Sequence, residues 1–138
     1  MKIGSVFLTA SVTLMLVGGC SILGIGCEEE VEREINDLKQ IVPALLPRPI
    51  AANLEEGNDC DSGSGGYLSF AADMEENTDQ IIQPFLSKGW RKIDPTRDKV
   101  GGTFINGVTI QQDGKDINLV ISEAQDSPKM DIFVEFGG

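Results

Sequence analysis

The chain has 138 residues, with 22 acidic and 11 basic side chains, no His and three Cys, for a formal net charge of -11 at pH 7. This length leads us to expect one domain with a core of its own, and 41% hydrophobic with 24% charged residues excludes wholesale disorder. The acidic balance argues against a nucleic-acid partner, whose affinity comes from phosphates meeting Lys and Arg, and the lack of His removes the usual base of a Ser or Cys nucleophile and the commonest zinc ligand.

The N-terminal segment carries Lys2 and then no charge until Glu28. Residues 3–17 are almost purely apolar and run into Gly18-Gly19-Cys20. One positive charge, an apolar run and small residues form the pattern of an export signal. Its end, Leu16-Val17-Gly18-Gly19-Cys20, resembles the lipobox of bacterial lipoproteins. That resemblance covers only the first twenty or so residues. It implies a signal peptide over 1–19, diacylglycerol on the Cys20 thiol and cleavage before Cys20. A second acyl chain, on the new amino group, would make the anchoring stable. It would leave a short tether over 20–26 and a single domain over 27–138. The fit is imperfect at Gly18, and residues 21–26 (SILGIG) are more apolar than the usual tether. Two alternatives stay open. Residues 3–26 are long enough to be an uncleaved transmembrane anchor, since about 20 apolar residues span a bilayer. Cys27 is the other position for the lipid, although Gly stands three residues upstream of it, where an aliphatic side chain is expected.

With Cys20 lipidated, Cys27 and Cys60 remain as an even pair in an oxidising exterior, and a structural disulfide is expected. No C-x-x-C spacing supports a redox pair. The charge balance shifts slightly, because cleavage removes Lys2 and no acid.

Glu28-Glu29-Glu30 opens a segment in which Val31, Ile35, Leu38 and Val42 recur at helical spacing, with Pro43 as the stop. Acids at its start and Lys39 near its end suit the helix dipole. Pro43, Pro47 and Pro49 then mark an extended connector over 44–54, followed by a polar loop over 55–66. Residues 67–74 read as a strand with Leu68, Phe70, Ala72 and Met74 inward and Tyr67, Ser69 and Asp73 outward. Asn77 with Gln80 has the form of a capping box. It starts a helix whose inward residues are Ile81, Ile82, Phe85 and Leu86, with Gly89 as its end. Pro84 predicts a kink or an early stop.

Asp113-Gly114 is a hairpin turn. Counting outward pairs Gln112 with Lys115, Gln111 with Asp116, Ile110 with Ile117, Thr109 with Asn118 and Val108 with Leu119. Apolar meets apolar and polar meets polar at each step, and a one-residue slip would scramble the match. Residues 130–136 alternate Met130, Ile132, Val134 and Phe136 with Asp131 and Glu135. The order predicts an α+β two-layer sandwich: an antiparallel sheet ending in a C-terminal β-meander, with helices on one face.

Two stretches resemble sites. Asp59-Cys60-Asp61-Ser62-Gly63-Ser64-Gly65-Gly66 begins like a calcium loop. Counted from Asp59, however, the sixth and twelfth places hold Ser64 and Phe70 instead of Gly and Glu. A polar loop beside a disulfide is the simpler reading, and no metal or cofactor is expected. Against the overall charge, Lys88, Arg91, Lys92, Arg97 and Lys99 crowd around Trp90. A cationic stripe with an aromatic suits an anionic partner, either an envelope component such as a lipid headgroup or wall polymer or the acidic face of an envelope protein. The alternative puts Trp90 in the core with solvated charges around it. No Ser-x-x-Lys spacing or nucleophile–base pair is present, so no catalytic residue is assigned. The expected function is a lipid-anchored, non-catalytic binding or accessory module at the extracytoplasmic face of the cell membrane. A small-ligand-binding or inhibitor module is the alternative. The soluble part also resembles, in length, acidity and its Cys pair, small lipoproteins of disulfide-making bacteria, especially actinobacteria.

Overall fold

The computed structural model describes residues 25–62, 65–94 and 103–137. Helix α1 (Ile25–Ile41) is followed by a four-residue helix α2 (Arg48–Ala51), strand β1 (Leu54–Asn58), a 3-10 turn (Cys60–Ser62) and strand β2 (Gly66–Asp73). Helix α3 (Thr78–Ser87) and strands β3 (Arg91–Lys92), β4 (Phe104–Gln112), β5 (Lys115–Glu123) and β6 (Lys129–Gly137) complete the order. The strands form one sheet, β1-β2-β6-β5-β4-β3, in which every neighbouring pair is antiparallel. The fold is α+β, with the helices packed on the sheet.

Alternation along the strands makes one face apolar. Leu68 and Phe70 of β2, Ile117, Leu119 and Ile121 of β5, and Met130, Ile132 and Val134 of β6 form one buried cluster with Leu38 of α1, Val42 just past its end, and Ile81, Ile82 and Phe85 of α3. The β4–β5 register is the one that pattern matching predicts, from Gln112↔Lys115 to Val108↔Leu119. Asp113 (φ 51°) and Gly114 (φ 82°) are both left-handed, which is the twist a two-residue hairpin needs and why Gly serves there. β6 sits between β5 and β2 and joins the meander to the N-terminal hairpin.

Several expectations are corrected. α1 begins at Ile25, so the last two residues of the expected 20–26 tether are helical. The connector over 44–54 holds a short helix, because Pro47 and Pro49 fall at the N-cap and in the first turn, where a missing N–H costs no helical hydrogen bond. The loop over 55–66 contains β1, whose sequence LEEGN shows no alternation and is held as a strand by pairing with β2. Met74 lies beyond the end of β2 and is 43% exposed. α3 runs through Pro84 to Ser87 instead of stopping early. Asn77 caps it by accepting the Asp79 backbone N–H at 3.0 Å, and Gly89 (φ 91°) follows its end.

Candidate functional site

The basic window divides once its side chains are placed. Trp90 is 4% exposed, and its ring meets that of Phe85 edge-on at 5.2 Å, so it belongs to the core and not to a recognition surface. This corrects its inclusion in an anionic-partner patch. The cause is local: Trp90 directly precedes β3, and its backbone N–H bonds to the Phe85 carbonyl, which folds the indole under α3. Lys92 is ion-paired with Asp79 at 3.2 Å. Its hydrogen bond, with that of Asn106, holds the Asp79 carboxyl below the usual carboxylate range. Lys88 and Arg91 are exposed, while Arg97 and Lys99 lie outside the described residues. Among the described residues, therefore, no aromatic–cation platform assembles around Trp90.

A second group of functional side chains assembles at the start of α1. Cys27 and Cys60 are joined in a disulfide that ties the first turns of α1 to the loop between β1 and β2. Two turns further along, Glu34 is only 6% exposed. Its Oε2 accepts the Gly66 backbone N–H at 3.0 Å, and its Oε1 lies 3.0 Å from Lys115 Nζ. Lys115 also reaches Glu30 Oε1 at 3.0 Å and stands 5.8 Å above the Phe136 ring. Hydrogen bonding to Glu34, then to Glu30, raises the Lys115 pKa; the bond from Lys115, reinforced by its charge, lowers that of Glu30. Both shifts deepen the charged state across neutral pH. The helix approaches so closely that a Cβ on Gly66 would sit 2.8 Å from Ile35 Cγ1 and 2.9 Å from the Val31 carbonyl oxygen. Only glycine fits there.

Glu34 is not among the residues that motif and composition single out. The spacing Cys27, Val31, Glu34, Leu38 is four, three and four, so an acid inside the apolar stripe is the signal that marks it. Glu34→Ala should cost about 1–3 kcal/mol by leaving a buried N–H without an acceptor. Glu34→Gln keeps an acceptor and should cost clearly less. Urea unfolding of the two variants checks this ordering, and equal losses would contradict it.

Alongside this corner runs a groove of about 450 Å³ between α1 and β1. Val31 and Ile35 supply its apolar floor, Glu28, Glu32 and Asn36 one rim, and Glu56 and Asn58 the other. Lys39 spans its far end in an ion pair with Glu56. β1 is the edge of the sheet, and among the described residues nothing pairs with its outer side. Register gives the direction of its backbone groups. Asp59 N–H bonds the carbonyl of Gly65, which stands opposite it, so the alternate pairs Gly57↔Tyr67 and Glu55↔Ser69 are the hydrogen-bonded ones. Leu54, Glu56 and Asn58 then turn their N–H and C=O groups to the open edge. The Gly66 N–H, opposite Asn58, points away from β1 to Glu34, as this phase requires.

The calcium-like loop brings Asp59 and Asp61 beside the disulfide, and among the described residues no group of three or more His, Cys, Asp or Glu is placed to hold a metal ion. Also among the described residues, no helix is long and apolar enough to cross a membrane; Cys20 and the apolar run over 3–17 lie outside them. The six-stranded antiparallel sheet with helices against it defines the class of the protein as α+β. No protein-family model, curated protein or solved structure matches the chain.

Proposed function

We propose that this protein is an exported lipoprotein of the bacterial envelope: cleaved before Cys20, anchored through that residue, and acting by binding and not by catalysis. The observation that supports export most directly is the Cys27–Cys60 disulfide, since such bonds persist in oxidising compartments outside the cytosol. Its pairing also leaves Cys20 as the one remaining thiol of three, at the position where the lipobox-like LVGGC places the lipid. Cys20 stands five positions before Ile25, the first residue of α1. At about 3.3–3.6 Å per extended residue, the anchor would hold the start of α1 within about 18 Å of its attachment point. The corner holding the disulfide and Glu34 would then face the membrane side of the domain.

Labelling with palmitate in a bacterial host that processes lipoproteins tests the anchor. The wild-type chain should incorporate label and fractionate with membranes, and Cys20→Ser should do neither. Undiminished labelling of the variant would overturn the assignment, and loss of label in Cys27→Ser alone would move the anchor there.

A further inference from the structure

We infer that the open edge of β1 and the groove beside it form a docking site for an extended, cationic peptide segment of a partner protein, which adds to the sheet as a further strand. The inference deepens the binding role proposed above by giving the partner its chemistry, and its test does not depend on lipidation.

Three features converge on this occupant. The first is the edge itself: Leu54, Glu56 and Asn58 present outward N–H and C=O groups at alternate positions, which is the pattern a pairing strand satisfies. The second is shape. Val31 and Ile35 lie in the groove between helix and edge, so the aliphatic stems of Lys or Arg on the helix-facing side of an added strand have a surface to cover. The third is charge. Glu28, Glu32 and Glu56 line the groove, with Lys39 as the single base among the described residues there. The charged ends of those same side chains, which recur at every second residue on that face, would meet these carboxylates.

The same charges disfavour a second copy of this chain. Two β1 edges paired about a two-fold axis would bring Glu55 and Glu56 of one copy against those of the other, and like charges on paired strands repel. Acidic side chains thus block the self-pairing that an open edge invites and leave a cationic strand as the complementary partner. Lys39 acts as an internal competitor, because its ammonium already occupies Glu56.

The experiment titrates the full chain, held in neutral detergent, with a short labelled peptide of alternating Lys and Val, followed by fluorescence anisotropy at low salt. Its Glu–Val counterpart is the control. The Lys peptide should bind, more weakly as salt rises, and the Glu peptide should not. Reversing two rim charges, Glu28→Lys with Glu32→Lys, should weaken binding about tenfold or more. Lys39→Ala should tighten it severalfold. Glu56→Pro removes an N–H that faces the open edge and not β2, a place where an edge strand tolerates proline; it should also weaken binding about tenfold, and more than Glu56→Gln does. On the unaltered chain, amide exchange should slow at Leu54, Glu56 and Asn58 when peptide is added, a readout that does not depend on any variant folding. Equal binding of the two peptides, undiminished binding by the charge-reversed or Glu56→Pro chains, or unchanged exchange at those amides would overturn the inference. So would dimerisation of the chain through β1 with no peptide affinity. Palmitate labelling reports separately on the anchor.

Discussion

Replacing both Cys27 and Cys60 by Ser is expected to destabilise the domain by about 3–4 kcal/mol, the entropy of closing a loop of this length in the unfolded chain. The two residues are separated by 33 positions. For a domain of this size the midpoint of thermal unfolding should fall by roughly 15–25 °C. Reduction of the wild-type protein should act in the same direction. The crosslink ties the β1–β2 loop to α1, next to the bond by which Glu34 accepts the Gly66 N–H at the start of β2. Circular dichroism melts with and without reductant check the expectation, and a loss below about 1 kcal/mol would show that the crosslink contributes little beyond the tertiary contacts.

The second large effect belongs to Phe85. Its side chain is fully buried, on α3, against the Trp90 ring and within the cluster that faces the sheet. Phe85→Ala should cost about 3–5 kcal/mol, combining lost burial with the cavity left under α3. Urea unfolding measures it, with intrinsic Trp90 fluorescence as the probe, because Trp90 is the only tryptophan of the chain. The exposed neighbours give the contrast: Lys88→Ala and Arg91→Ala should each fall within about 0.5 kcal/mol of wild type. A cost at Arg91 comparable to that at Phe85 would mean that the basic window is structural in a way its exposure does not suggest.

The amphipathic helix, the hairpin and its register, and the last strand were all legible because each rests on local periodicity. Val31, Ile35, Leu38 and Val42 repeat at helical spacing whatever they pack against, and Asp113-Gly114 carries its own turn geometry. The disulfide was legible by counting. What escaped has little local signal. β1 is a strand because β2 pairs with it; Leu54-Glu55-Glu56-Gly57-Asn58 has neither alternation nor β-branched residues. Glu34 stands inside the apolar stripe, but its partners, the Gly66 N–H and Lys115, come from distant parts of the chain. Trp90 amid five bases looks like a recognition site, and only the approach of Phe85 shows which way the indole turns.

Composition and fold divide along the same line. Residue counts by themselves determined the acidic balance, the lack of any imidazole to serve as a base, and enough Cys for one disulfide. These are properties of composition and short-range pattern, so they need no fold. Tertiary structure alone decided where the acids act: Glu28, Glu32 and Glu56 on the rims of one groove, and Glu30 and Glu34 about one lysine. Charge at a site depends on which segments the sheet brings together, and pairing between distant strands is not written in either strand alone.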